Sequence, residues 1–499
     1  MLLINARIRG HDVSALCDIA VDRGIISAIG PAGSLESAGH EVIDLDQRVV
    51  IPGLWDEHVH FSLWAQHRRR TTLHGATSAA EAAAVMGEAI AQTRSSGDLD
   101  EVVVGAGYRD GLWPDHKSTA LLDRATGDVP TVLLSVDVHS LWANSAALKK
   151  FGVTGHDLDG VLQEEECFAF TGVISKVANE QLDAWTLDAA HAAAARGVVG
   201  IVDLEMRYNP EDWIRRAGNH KTPYPLKVDV GVYPSFLDRA ISEGLHTGME
   251  LAPGITMGPF KIITDGSLNT RTAHVCDPYL GVEGEEYGAM NFSLEEMEAV
   301  LRKAHHAGFD LAVHAIGDRA NKIVLDLMEK NQLTGRIEHA QLLRLEEFPR
   351  FAALGIAASV QPEQAVDDRD VTDVYWADRV ERAFALRTLV DNGASLVMGS
   401  DAPVAPLDPW ITMAAAVTRT RDGREPWQPQ ESLSFDEALR FSTRSDIKVG
   451  QPADLVALDA DPDWLLVALA GSPAQQSDAL RSMPIALTIS GGAVTFQQM

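Results

Sequence analysis

Two histidines, His58 and His60, stand two residues apart at the end of a mostly apolar run that begins at Val49. Alternate residues of a β-strand point to the same side, so both imidazoles can reach one metal ion from one strand end. The pair alone is weak, because a chain with 17 histidines contains His-x-His by chance and hydrogen-bonded surface histidines explain it equally well. It gains weight only from ligand-type residues further along the chain.

Four such residues, Lys261, His314, His339 and Asp401, each stand in or just after their own strand-like segment. A lysine in a strand usually extends to solvent or pairs with a carboxylate. A neutral lysine amine that has captured carbon dioxide would instead form a carbamate that bridges two cations. The single histidines have a structural alternative, and an aspartate after Gly-Ser can cap the next helix.

Together these six side chains are nitrogen and oxygen donors of the kind zinc accepts, and nickel, manganese or iron are alternatives. A cation held by them would lower the pKa of a bound water toward neutrality. Asp401 could then take a proton from that water and return it to a leaving nitrogen. The pattern therefore predicts hydrolytic chemistry.

The elements that must position these residues form a βα pattern, in which apolar strand-like runs alternate with helical stretches. Eight such runs suit a (β/α)₈ barrel of the TIM type, whose active site forms at the carboxyl ends of the strands. The ligand-type residues fall at those ends. The predicted strands are Val49 to His60, Val198 to Glu205, Lys227 to Tyr233, Phe260 to Asp265, Asp310 to His314, Gly335 to His339, Ile356 to Gln361 and Ser395 to Asp401.

Three domains follow from this pattern. Short strands in residues 1–50 and 449–499 predict a small composite β-sandwich built from both termini. Residues 51–75 and 190–448 would form the barrel. Residues 76–189 are an α/β insertion after the first barrel strand, with a helix from Ser78 to Thr93 and strands from Glu101 to Gly105 and Thr131 to Val136. This insertion is expected to cap the barrel mouth, and packing against its flank is the alternative.

Composition excludes several partners of the 499-residue chain. A formal net charge of -29 argues against nucleic acid, whose phosphates would be repelled. The three scattered cysteines predict no disulfide framework, and no apolar run approaches the roughly 18 residues of a membrane helix. We expect a soluble cytoplasmic protein without a secretory signal that acts on a small molecule. A homodimer is expected only from the general frequency of dimers.

The motifs as a set resemble the amidohydrolase superfamily, and within it the N-substituted formamide deformylase-like branch, amidohydrolase family 3. The resemblance covers nearly the whole chain. Its motifs are Ile51 to His60, Lys261 to Ala273, His314 to Asp318, Arg336 to Ala340, Gly399 to Pro403 and Val449 to Leu455.

The resemblance implies a binuclear centre of two zinc ions. His58, His60 and Asp401 would hold one ion, and His314 and His339 the other. Carboxylated Lys261 and a hydroxide would bridge them, with the hydroxide attacking a carbonyl and Asp401 moving the proton.

The same resemblance extends to residues that would bind substrate. His139 and Asn144 lie in the insertion, where a structural histidine and a helix-capping asparagine are equally good interpretations. Ordinary packing or ion pairing competes for the three weaker candidates, Trp55, Arg271 and Arg336. Asn269-Thr270 replaces a small Gly-Ser pair, which is expected to reshape the site beside Lys261.

The first functional hypothesis is hydrolysis of a C–N bond in a small amide, formamide or carbamate. A deaminase is less favoured, because Gly317 stands three residues after His314, where such enzymes place a proton-transferring glutamate. A lactone or phosphoester hydrolase would use the same metals. A non-catalytic metal-binding relative is the remaining alternative.

Overall fold

The fold is that of a computed structural model, which describes residues 1–10, 15–39, 41–96, 102–156, 158–174, 176–219, 224–282 and 286–499. Strands in these residues form three sheets. One joins the two ends of the chain, one belongs to the insertion, and the largest forms the barrel. Within the same residues, no helix has the length and apolar character needed to cross a membrane.

Within the first sixty residues, the described part of the chain contains strands and no helix. The strands are β1 (Leu2–Ile8), β2 (Cys17–Asp22), β3 (Ile25–Pro31), β4 (Val42–Asp44), β5 (Val49–Pro52) and β6 (Leu54–Val59).

The segment between the first and second barrel strands follows, and its first helix begins directly after His60. Its elements are α1 (Phe61–His67), β7 (Thr71–Thr72), α2 (Ala79–Ser96), β8 (Val103–Tyr108), α3 (Thr119–Thr126), β9 (Thr131–Ser135), β10 (Ser140–Ala143), α4 (Ser145–Phe151), β11 (Val161–Gln163), α5 (Glu164–Ile174) and α6 (Asn179–Ala194). The five strands form one sheet in the order β11-β10-β9-β8-β7. The strand predicted from Glu101 begins at Val103, and Glu101 itself lies outside the described residues.

The remaining barrel elements alternate as the pattern predicts. They are β12 (Val198–Asp203), α7 (Asn209–Gly218), β13 (Lys227–Val232), α8 (Pro234–Ser242), β14 (Glu250–Ala252), β15 (Ile255–Ile263), α9 (Leu294–His306), β16 (Leu311–Ala315), α10 (Asp318–Asn331), β17 (Gly335–His339), α11 (Phe348–Leu354), β18 (Ala357–Val360), α12 (Pro362–Asp367), α13 (Arg369–Tyr375), α14 (Leu386–Asp391), β19 (Leu396–Met398), α15 (Pro409–Thr418) and α16 (Phe435–Phe441), with 3₁₀ turns at Val380–Arg382 and Pro429–Glu431.

The chain ends with β20 (Leu455–Leu458), α17 (Pro462–Ala468), α18 (Pro473–Arg481), β21 (Ile485–Ser490) and β22 (Ala493–Gln497). These strands join the amino-terminal ones in the order β22-β21-β20-β5-β1-β2-β3, with β4 beside β1. The first half of β1 pairs with β4 and its second half with β5, so one continuous sheet folds over a shared apolar core. The termini therefore build a composite β-domain.

The barrel strands run parallel in the order β6-β12-β13-β15-β16-β17-β18-β19. Backbone hydrogen bonds across the remaining gap join the end of β6 to the residues that follow β19. The amide of Asp401 donates to the carbonyl of His58 at 2.7 Å, and the amide of His60 donates to the carbonyl of Ala402 at 2.8 Å. The (β/α)₈ prediction is confirmed.

One predicted strand is divided. The run from Val49 to His60 was expected to be a single barrel strand, but β5 pairs with β20 in the terminal sheet and only β6 enters the barrel. The chain changes sheets at Gly53, where a Cβ atom would lie 2.6 Å from both γ-carbons of Val199. Only a residue without a side chain fits so close a crossing.

Candidate metal centre

Three donor atoms meet at the seam that closes the barrel. The Nε2 atoms of His58 and His60 both lie 3.4 Å from Oδ1 of Asp401, and all three side chains are buried. Zinc ligands lie about 2.0–2.1 Å from the ion, so neighbouring ligands of a tetrahedral site are about 3.3 Å apart. The spacing of this set fits a single divalent cation.

The local backbone explains why these atoms meet. His58 lies in β6 and His60 directly follows that strand, so the two side chains share one face. Asp401 has a φ of 57°, a left-handed conformation that turns its carboxylate toward the histidines. The strands approach closely because a Cβ on Gly399 would lie 2.6 Å from the His58 amide nitrogen.

The other predicted ligands surround this trio. Nζ of Lys261 lies 3.5 Å from Nε2 of His58, and the ring centroids of His314 and His339 are 4.5 Å apart. The ring of His339 also lies 5.2 Å from that of His58. All six residues predicted as ligands therefore border one cavity.

Burial makes most of these groups suitable for binding a cation. It lowers the pKa of His58 and His314 and brings that of His339 to about 3, so the neutral imidazoles keep a lone pair. His60 is the exception: burial opposes its charge, but its hydrogen bond with Asp401 raises its pKa. Burial also lowers the pKa of Lys261 to about 8.

A carboxylate that the sequence analysis missed holds His58 in place. Oε2 of Glu338 accepts a hydrogen bond from Nδ1 of His58 at 2.7 Å, which directs Nε2 toward Asp401. Arg336 donates to Oε1 of Glu338 at 2.6 Å and also to Glu57 at 3.0 Å. Such outer partners fix the tautomer and orientation of a metal-binding histidine. The only signal in the sequence was the alternation of Arg336 and Glu338 along β17.

Other partners of the predicted ligands also went unnoticed in the sequence. Gln364 donates to Oδ2 of Asp401 at 3.0 Å. Asp265 lies 3.4 Å from Nε2 of His314 and accepts hydrogen bonds from three backbone amides, while burial raises its pKa to about 7. Asp265 belongs to a motif that the sequence analysis quoted, but its role depends on a fold that brings residue 314 beside it.

The cavity above the centre has a volume of about 720 Å³. The insertion supplies one wall, made of Val136 to His139 together with Phe168. His139 is buried, and its Nδ1 donates to Oε2 of Glu164 at 2.8 Å. Burial opposes the imidazolium charge, but Glu164 outweighs it and raises the pKa of His139 to about 9. A polar group of the insertion therefore faces the metal centre.

The unusual Asn269-Thr270 pair contributes to this wall. Asn269 donates to Oδ1 of Asp368 at 2.9 Å, and Thr270 donates to Oε1 of Glu164 at 2.9 Å. The Thr270 bond ties the loop after β15 to the helix that orients His139.

Four residues expected to bind substrate do not border the cavity as the described residues define it. Asn144 caps α4. Its side-chain oxygen accepts a hydrogen bond from the Thr131 amide, and its side-chain nitrogen donates to the Thr126 hydroxyl and the Val129 carbonyl. Trp55 packs under the guanidinium of Arg444, whose carbon lies 3.8 Å from the ring centroid. Arg271 donates a hydrogen bond to the Tyr375 hydroxyl. Arg336 donates to the carboxylates of Glu338 and Glu57. In this structure these side chains make contacts of the kind that the competing structural interpretations describe.

Comparison with known sequences agrees with this geometry. A sequence model of the amidohydrolase family matches residues 41–496. The chain belongs to the amidohydrolase family. It is a metal-dependent hydrolase of that superfamily, and membership implies a divalent cation, which the 3.4 Å spacing of His58, His60 and Asp401 fits.

Individual relatives resemble this amidohydrolase over most of their length. The chain is 27% identical to the putative amidohydrolase YtcJ of Bacillus subtilis, covering 96% of both chains. It is 25% identical to the N-substituted formamide deformylase of Arthrobacter pascens, covering 93% of this chain and 94% of that protein. An uncharacterised metal-dependent hydrolase from Pyrococcus horikoshii has a TM-score of 0.75 at 24% identity, covers 95% of this chain and 98% of its own, and shares the fold.

Replacing Glu338 by glutamine should weaken metal binding by about 10- to 100-fold, because His58 loses its charged partner. Metal affinity would be measured by titrating the chelated protein with zinc. The matched control is Glu295→Gln on the exposed start of α9, which should bind zinc like the parent protein. Unchanged affinity in Glu338→Gln would show that Glu338 does not support the ligand.

Proposed function

We propose that this amidohydrolase cleaves a C–N bond of a small amide, with formamides, carbamates and related compounds as the substrate class. The observation that carries the proposal is the donor set of His58, His60 and Asp401 beneath a cavity of about 720 Å³ counted to its open mouth. The resemblance to an N-substituted formamide deformylase supports the choice of bond.

Two cations are the second part of the proposal. His58, His60 and Asp401 would hold one, His314 and His339 the other, and a carboxylated Lys261 would bridge them. The cations, zinc in the first instance, would polarise a carbonyl and make water a better nucleophile. The buried Lys261 amine suits this role, because its lowered pKa increases the neutral fraction that can react with carbon dioxide.

Asp401 is the proposed proton carrier. Its carboxylate lies at the cavity floor, and Gln364 fixes Oδ2 by a hydrogen bond of 3.0 Å. Burial alone would raise the pKa of Asp401, but the imidazoles around it hold that pKa far below its usual range. The carboxylate is therefore ionised, accepts a proton from the attacking water and delivers it to the leaving nitrogen.

His139 completes the proposed site from the opposite wall. Its Nδ1 is engaged by Glu164, so Nε2 is the nitrogen left for a substrate oxygen. The small molecule would lie between this imidazole and the ligands below.

A substrate screen tests the reaction class. Metal-loaded protein is expected to turn over at least one compound among N-formyl, N-acyl and carbamate substrates, with amine release as the readout. Chelation should abolish that activity, and zinc should restore it. Turnover confined to lactones, phosphoesters or aminated heterocycles would overturn the proposal in favour of the corresponding hydrolase or deaminase.

Replacing Asp401 by asparagine should lower kcat by about 10²- to 10⁴-fold, because the amide cannot accept the proton. The thermal unfolding midpoint would establish that the variant folds, and metal analysis would separate proton transfer from ligand loss. Asp310→Asn, at the opposite end of the barrel, is the control and should keep full activity. Persistent turnover by metal-loaded Asp401→Asn would defeat the proposed proton route.

Replacing Lys261 by alanine should reduce the metal content from two ions per chain to one or none, since the proposed bridge is lost. Inductively coupled plasma mass spectrometry gives the count, and added propionate should restore part of it by supplying a carboxylate. Lys448→Ala on the exposed surface is the control. Two ions per chain in Lys261→Ala would contradict the bridging role.

A further inference from the structure

A second chamber opens beside the cavity that holds the metal centre. It has a volume of about 1260 Å³ counted to its open mouth, and it lies between α1, α5 and the residues that follow β12. Phe168 and Met206 border both spaces. These two side chains therefore form part of the wall of both spaces.

The walls of the second chamber are apolar over most of their surface, and the basic residues Lys176 and Arg207 also border it. Leu63, Val177, Tyr208 and Phe236 line it together with the shared Phe168 and Met206. Apolar surface of this kind favours an apolar occupant, because contact with it removes both surfaces from water.

The one acidic side chain of this wall is already satisfied by backbone donors. Oε2 of Glu205 accepts a hydrogen bond from the Leu63 amide at 2.8 Å, and Oε1 accepts one from the Met206 amide at 3.1 Å. Glu205 thus joins α1 to the residues after β12 and shapes the floor. Both carboxylate oxygens of Glu205 are thus engaged, so this side chain does not favour a cationic occupant.

Gln66 is the feature that points to a ligand. Its side chain borders the chamber and the residue is only 6% exposed, yet its amide makes no hydrogen bond to any residue that the structure describes. The amide therefore keeps hydrogen-bonding capacity that an occupant of the chamber can use. An apolar chamber with one such amide suits a ligand that is mainly apolar and carries one polar group.

We propose that this chamber binds the larger substituent of the substrate amide, an alkyl or aryl group that passes between Phe168 and Met206 and carries a hydroxyl or carbonyl for Gln66. This inference rests on the proposed function, since it takes the scissile bond to lie above the metal centre. The chamber then determines which amides are accepted.

Gly172 on α5 offers a way to fill the chamber. It borders the chamber, and a Cβ added there meets no described heavy atom within 4 Å. Gly172→Trp should lower kcat/KM for N-hexylformamide by about tenfold or more and leave N-methylformamide nearly unchanged. Gly172→Ala controls for the backbone change, and Gly218→Trp, at an equally open site on α7, controls for an added tryptophan. Equal effects on both substrates, or none on the long one, would overturn the proposal.

Gln66→Leu tests the polar contact at similar side-chain volume. The parent protein should prefer N-alkylformamides with a terminal hydroxyl over their unsubstituted counterparts at one chain length, and the variant should lose that preference. A preference that survives in Gln66→Leu, or its absence from the parent protein, would overturn the assigned hydrogen bond.

Binding measurements separate this inference from the reaction itself. If the parent protein hydrolyses no formamide, the proposed function fails, and isothermal titration with N-hexylacetamide and N-methylacetamide still tests the chamber. Tighter binding of the hexyl compound that disappears in Gly172→Trp would support it. Equal affinity of the two compounds for the parent protein would refute it.

Discussion

The closure of the barrel between its first and last strands is the constraint on which the metal centre depends. Two backbone hydrogen bonds, from Asp401 to His58 and from His60 to Ala402, join segments more than 300 residues apart in sequence. Asp56 strengthens the seam, because its Oδ1 accepts hydrogen bonds from the amides of Ser400 and His58. The left-handed backbone of Asp401 is costly for a non-glycine residue, and these bonds offset that cost.

The charged side chains described behind His58 form one connected series. From His58 the contacts run outward through Glu338, Arg336 and Glu57 to Arg444, alternating in sign. Removing one partner of a buried ion pair typically lowers the free energy of unfolding by about 3–5 kcal/mol, because the other charge is left buried and unpaired. The same series explains Arg336, which resembles a substrate-binding residue in sequence but stabilises the barrel wall.

Much of the fold and the clustering of the ligand-type residues could be predicted because both depend on local regularities. The eight strands follow from apolar runs, and His58, His60, His314, His339 and Asp401 stand where those runs end. The division of the first predicted strand at Gly53 was missed, since an apolar run does not specify which sheet will pair with it. Glu338, Gln364 and Glu164 were missed for a related reason, because only the fold brings them to their partners. The barrel does so for Glu338 and Gln364, and the pairing of β10 with β11 in the insertion does so for Glu164.

The insertion supplies one wall of the cavity above the candidate metal centre. Oε2 of Glu164 holds His139, while Oε1 accepts hydrogen bonds from Thr270 and Thr272 in the loop after β15. One carboxylate therefore fixes both the imidazole above the centre and the position of the insertion relative to the barrel. Substitutions on the chamber side of α5, away from this carboxylate, can change the shape of the chamber. The hydrogen bonds that close the barrel and the residues of the candidate metal centre would stay in place. Under the proposed function, selection among amides can thus vary independently of the chemistry that cleaves them.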